Sequence, residues 1–254
     1  MLDTADPATK VRGARAVARS WRRGDLAHRF DVLMPERPAR PSAPELLAPQ
    51  QMPRRGKGGS ERGRLALLHA LAHIEFVAID LAFDMAGRFG EAFPPAFVDD
   101  WLSVGADEAM HFALLDRRLR ALGSHYGAMP AHDGLWESAH ATAHDVLARL
   151  AVVPMVLEAR GLDVTPEMTT RLRAAGDETS ARILARILAD EIRHVRAGTR
   201  WFGFCCDAQG FGAESHWRYL VNRYFRGVIK PPFNDSARNA AGLTREYYHS
   251  LVDL

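Results

Sequence analysis

Asp107-Glu108-Ala109-Met110-His111 and Asp190-Glu191-Ile192-Arg193-His194 are two copies of one pattern, Asp-Glu-x-x-His, displaced by 83 residues. A lone glutamate precedes each copy at one spacing: Glu75 lies 33 residues before Glu108, and Glu158 lies 33 before Glu191. The chain therefore carries the set Glu plus Glu-x-x-His twice. With 13 Glu and 11 His in 254 residues, about half of one Glu-x-x-His match is expected at random, and a third copy, Glu137-Ser138-Ala139-His140, does occur. Requiring Asp before Glu lowers the expectation to a few hundredths of a match. The third copy lacks the Asp and falls outside the repeat offset, so Glu137 and His140 read as surface or helix-entry residues.

The spacing has a physical meaning on a helix. Residues three apart differ by about 60° around the axis and lie one above the other, so Glu108 with His111, and Glu191 with His194, each form one ligating face. Glu75 and Glu108 are equally far from a turn centred near residue 91, and an antiparallel hairpin about that turn brings them level. Glu158 and Glu191 follow the same logic across a longer connection. Glu75 sits in the apolar stretch Ala72-His73-Ile74-Glu75-Phe76-Val77, where an unpaired carboxylate would be costly. Glu158 has Arg160 close by in sequence, and an ion pair with an arginine is its competing reading. Four carboxylates gathered in a core raise one another's pKa values, and two divalent cations remove that penalty. Mixed carboxylate and imidazole donors suit iron or manganese better than structural zinc. Asp107 and Asp190 lie about 100° round the helix from the ligating Glu that each precedes. We expect Asp190 to orient His111 and Asp107 to orient His194 by accepting the second ring N–H.

Working outward, Leu65, Leu68, Ala72, Phe76, Ile79 and Phe83 recur at helical spacing and predict a helix over about 61–88, stopped near Gly87 and Gly90. Pro94-Pro95 opens a second helix that Gly123 ends. Asp133 caps a third, expected over 134–160, which Pro154 must kink or split because it lacks an N–H and clashes with the Leu150 carbonyl. Leu162–Ala175 reads as a long connection with a short helix begun by Thr165-Pro166. Asp177 opens a fourth helix to about 204. Before these, an Ala/Arg-rich helix is expected near 7–24, followed by a Pro-rich arm to residue 60. After them come aromatics, Pro231-Pro232 and an amphipathic stretch at Leu243–Leu251. No strand alternation stands out. The fold class is all-α, a four-helix bundle over 61–204 with an N-terminal helix and extended arm (1–60) and a C-terminal helical tail (205–254).

Composition narrows the setting. Apolar residues make up 47% of the chain and the net charge is +2, which fits an ordinary globular protein. No uninterrupted apolar run reaches the roughly 20 residues of a membrane helix, and residues 8–23 are followed and preceded by aspartates that spoil a transit-peptide pattern. A cytoplasmic protein is expected. Two adjacent cysteines, Cys205 and Cys206, offer neither a disulfide framework nor a zinc knuckle. Residues 1–64 hold 14 Lys or Arg against seven Asp or Glu, a charge bias that suits RNA or a solvated basic segment. His69 with His73, and His140 with His144, are spaced four apart, but His73 lies about 200° from Glu75 and points away if Glu75 points in. Arg193 reads as a partner for bundle carboxylates, and the tyrosines and tryptophans as packing.

The six residues Glu75, Glu108, His111, Glu158, Glu191 and His194 resemble the ligand set of the ferritin-like diiron carboxylate superfamily, in which two helices give one Glu each and two give Glu-x-x-His. The Met52-Pro53-Arg54-Arg55 and Pro231-Pro232-Phe233-Asn234 segments look like an uncharacterised bacterial branch of it. The resemblance covers about 61–204 and implies a fold and a metal pair, Fe/Fe or Mn/Fe, but no substrate. Pro154, four residues before Glu158, departs from it. An O2-activating oxidoreductase of hydroxylase or oxidase type is the leading expectation, with O2, an electron donor and a small organic substrate as partners. No catalytic residue separate from the metal ligands is expected. The competing expectations are a transfer-RNA-modifying hydroxylase that docks RNA on the basic arm, a ferroxidase or iron-handling protein, and a bundle that metals only brace. The arm and tail favour an enzyme, as a monomer or homodimer without membrane association.

Overall fold

Ser60 accepts a hydrogen bond from the Gly63 amide at 3.1 Å and so caps the start of the longest apolar helix of the N-terminal half. The computed structural model describes residues 1–53 and 60–251; Arg54 and Arg55 of the arm lie outside the described residues. Every regular element among them is helical, and the only extended pairing is an isolated bridge between Leu46 and Ala131. The chain divides into two compact units, Met1–Trp136 and Glu137–Leu254.

In the first unit, α1 spans Pro7–Arg22, α2 spans Glu61–Phe89 and α3 spans Pro95–Ala121. From Glu75 to Ala86 every residue of α2 is buried, so this helix is a core element covered on all sides. By length and composition the stretch Glu61–Ala92 could cross a membrane, yet 67% of its most apolar window is buried inside the protein. Buried Glu75, Asp80 and Asp84 also mark it as a core helix. A one-turn 3-10 segment, Gly90–Ala92, joins it to α3, and α3 packs along both α2 and α1. Gly105 permits that approach: a Cβ there would stand 2.7 Å from Cε2 of Phe83. Gly105→Ala sets a helix-propensity gain of about 1 kcal/mol against an overpacking penalty of about 1–3 kcal/mol. Net destabilisation is the expected result of urea unfolding; a raised midpoint would show that Phe83 simply yields.

The N-terminal helix and the arm are tied down by charge as well as packing. Lys10 is fully buried, and its ammonium donates to Asp80 of α2 at 2.5 Å. Arg40 from the arm pairs with the other Asp80 oxygen. Burial lowers the Lys10 pKa and raises that of Asp80, each against the pull of its partner. The arm is therefore ordered along its described length, and its backbone joins the Leu2 carbonyl and the Ala131 segment.

The second unit corrects the sequence reading twice. The expected third helix is not continuous from 134: α4 spans Gly134–Ala141, the chain turns, and Asp145 caps a new start for α5, Val146–Val152, by accepting from the Leu147 amide at 2.8 Å. Pro154 does not end the run either. Val153–Glu158 is a π-turn that feeds directly into α6, Ala159–Ala174, so Gly161 is no stop and Leu162–Ala175 is no loose connection. The wider turn accommodates the proline ring that an α-helix would expel. Pro166 sits inside α6. Its missing N–H leaves the Leu162 carbonyl open, and Asn234 Nδ2 of the tail fills that place at 3.1 Å.

Asp177 caps α7, Glu178–Gln209, through the Ser180 amide at 3.0 Å. This is one turn longer than expected, and Gly210 closes it at φ 70°. The tail forms α8 (Ala213–Tyr224), α9 (Asp235–Ala240) and α10 (Arg245–Tyr248). It is anchored by the Trp217 indole on the Ala151 carbonyl at 3.2 Å and by a two-point Arg238–Asp163 pair at 2.8 and 2.7 Å.

Candidate metal centre

The first Glu plus Glu-x-x-His set lies wholly in the first unit. Glu75 projects from the middle of α2, and Glu108 with His111 from one face of α3, as the three-residue spacing requires. His111 Nδ1 is 3.1 Å from Glu75 Oε2 and 3.2 Å from Glu108 Oε2. All three side chains are buried, His111 completely, and their ligand atoms lie within 4.8 Å of one another. Burial is the largest influence on Glu75 and pushes its pKa well up; the neighbouring Glu108 charge pushes it further, and the His111 hydrogen bond only partly opposes this. Two carboxylates and one imidazole held this close and this dry are the donor set of a hard or borderline divalent cation. A cation there supplies the positive charge that the apolar surroundings withhold. Buried Glu and His side chains can thus bind a metal here, and the donors do not decide which.

The second Glu plus Glu-x-x-His set lies in the second unit. Glu191 and His194 are buried on α7, with His194 Nδ1 3.4 Å from Glu191 Oε2. Glu158 is half-buried at the last position of the π-turn. That turn matters for it: one extra residue in the turn rotates the side chains beyond it by about 100° relative to a plain α-helix. Pro154 thereby becomes part of how the Glu158 side chain is oriented.

The carboxylate of Asp190 accepts from Arg186 at 2.6 Å and from Arg193 at 2.5 Å, both on its own helix. Arg193 is thus the carboxylate partner that its position suggested. Glu137 and His140 are exposed, as expected of the third copy. His144 pairs with the Tyr224 hydroxyl at 3.2 Å. Cys205 and Cys206 are buried free thiols whose pKa values burial pushes up to about 11 and about 12, so both stay protonated and inert near neutrality. The sequence reading missed the Lys10–Asp80–Arg40 cluster. Its one local signal was an aspartate inside Ile79-Asp80-Leu81, a place that demands a cation without saying which.

A family model described as a protein of unknown function, DUF455, matches residues 3–249. An uncharacterised protein of Haemophilus influenzae is 43% identical over 211 residues, covering 81% of this chain and 73% of that protein. No solved structure matches.

Proposed function

The chain belongs to the DUF455 family, and we propose that its members of this type are non-haem dinuclear iron proteins that use O2 to oxidise a small organic substrate, with Mn/Fe as the alternative metal pair. The observation that carries this reading is the buried Glu75–Glu108–His111 triad together with the repetition of the same ligand set as Glu158, Glu191 and His194. The reading assigns the four ligand-bearing segments of a ferritin-like bundle to α2, α3, the α5–α6 run and α7, in the order Glu, Glu-x-x-His, Glu, Glu-x-x-His.

When bound, an iron pair supplies O2 reduction and oxidising power that no side chain possesses. The chain's own residues do the rest. Glu75, Glu108 and His111 hold one set of donors in place before metal arrives, since α2 and α3 fix all three. Glu75 is 4% exposed, Glu108 1% and His111 0%, so little water reaches the donors and their field stays strong. His111 Nδ1 lies between the two glutamates, and to ligate a metal that nitrogen would have to give up these hydrogen bonds. In this proposal Asp107 and Asp190 steady the histidines as hydrogen-bond acceptors, with Arg186 and Arg193 in turn positioning Asp190.

Protein reconstituted anaerobically with ferrous iron and then exposed to air is expected to consume O2 once per metal pair and to stop unless a reductant is supplied. Sustained iron oxidation without any organic substrate, accompanied by a large oligomer in size-exclusion chromatography, would point to iron handling instead. Retention of a folded, cell-functional protein after Glu108→Ala plus Glu191→Ala would reduce the metals to a brace.

A further inference from the structure

The face of α2 turned away from Glu75 lines a cavity of about 390 Å³. Arg62, Ala66, His69, Ala70, His73 and Ile74 form its α2 wall; the stripe is centred opposite Glu75, which is two residues past His73 and about 200° round the axis. The cavity is thus separate from the metal-ligating face. Among the described residues none of its lining side chains is a carboxylate, most are apolar, and Arg62 is exposed. Apolar walls with a few fixed polar groups are the usual make-up of a small-molecule site.

Two buried imidazoles supply those groups. The Gly127 amide donates to His69 Nε2 at 2.9 Å, which requires a lone pair on Nε2 and places the ring hydrogen on Nδ1. His69 is only 1% exposed, and its Nδ1–H meets no acceptor among the described residues. One turn further, His73 Nδ1 is taken by the Tyr126 hydroxyl at 2.9 Å, and Nε2 is buried without a well-formed hydrogen bond, although the His132 backbone also lies within reach of the ring. Tyr126 stacks on both rings, at 5.6 and 6.1 Å between centroids, and holds them in this orientation. Two neighbouring ring nitrogens therefore lack a well-formed hydrogen bond beside an apolar cavity, a situation that native proteins resolve with a ligand or water.

We propose that this cavity binds an uncharged, largely apolar organic molecule bearing a hydroxyl group. A hydroxyl fits because it accepts from His69 Nδ1–H and serves His73 Nε2 as either donor or acceptor, where a carbonyl could only accept. A cationic ligand finds no carboxylate here and meets Arg62. The site does not depend on the metal reading, since its groups lie on the other side of α2.

The probes are 2-naphthol and its oxygen-free counterpart 2-methylnaphthalene, titrated into the full chain by fluorescence, with the histidine ring nitrogens of 15N-labelled protein followed by NMR. The expected result is saturable 2-naphthol binding about tenfold tighter than that of 2-methylnaphthalene, with shifts at His69 and His73. Ala70→Trp, which fills the cavity, should abolish binding while leaving helicity and metal content unchanged. His69→Phe, which keeps the stacked ring and removes the donor, should bring 2-naphthol down to the affinity of the control. Equal affinities for the two probes, binding that survives Ala70→Trp, or no saturation by about 1 mM overturns the proposal.

Discussion

Glu108→Gln is expected to weaken metal binding by the Glu75–Glu108–His111 set about a hundredfold while leaving the metal-free protein as stable as the parent or more so. The carboxylate is 1% exposed and lies beside Glu75, itself buried and held well above the usual carboxylate pKa range. In the absence of a cation, such a charge is a burden on the fold, and an amide of the same shape relieves it. With metal present the balance reverses. A ligand that binds only the folded state at a thousand times its Kd adds about 4.1 kcal/mol, and a hundredfold loss of affinity removes about 2.7 kcal/mol of that. The variant should therefore lose most of the metal-dependent rise in Tm, read by calorimetry with and without ferrous iron under anaerobic conditions. A Glu108→Gln protein that is several kcal/mol less stable even without metal would assign Glu108 to the core as a hydrogen-bond partner of His111 and nothing more.

Asp80→Ala has the largest expected effect on the fold itself. The substitution leaves Lys10, fully buried, without the carboxylate it donates to, and leaves Arg40, only 15% exposed, with Asp133 at 3.7 Å as its remaining ion-pair partner. Removing one partner of a buried pair costs about 3–5 kcal/mol because the orphaned charge stays in a poor medium. That is a large share of the roughly 5–15 kcal/mol that holds a typical domain together. Equilibrium denaturation should show the loss, together with detachment of α1 and the arm seen as faster proteolysis before residue 60. Replacing the whole group, Lys10→Met, Asp80→Leu and Arg40→Met, should recover most of the stability, since Asp133, the carboxylate that then loses Arg40, keeps Arg37 at 3.4 Å. A small effect of Asp80→Ala alone would mean that water reaches this cluster.

These outcomes also show which parts of the molecule the chain discloses locally. The helix starts at Ser60, Pro95 and Asp177 were legible, because a capping side chain or an N1 proline acts within one turn. So were the two Glu-x-x-His faces, whose geometry comes from helix spacing alone. The run from Asp133 to Ala174 was not. Whether Pro154 breaks a helix depends on whether the chain widens to a π-turn. Whether Pro166 breaks one depends on Asn234, 72 residues from the Leu162 carbonyl it serves, which supplies the hydrogen bond the proline cannot. The break that does occur, between α4 and α5, turns on the Asp145 cap, a signal in plain view but weaker than a proline. The Lys10–Asp80–Arg40 cluster was hidden for the same reason as Asn234, since its members come from three distant parts of the chain.

The central claim is that two copies of one ligand set serve one pair of metal ions. Iron quantification combined with Mössbauer spectroscopy of protein loaded anaerobically with ferrous iron and then oxidised by air tests it most directly. The expected result is two irons per chain, present after oxidation as a magnetically coupled ferric pair, with Glu108→Gln and Glu191→Gln each abolishing the coupling. Less than one iron per chain after loading, or two ferric ions with no coupling between them, would contradict the account.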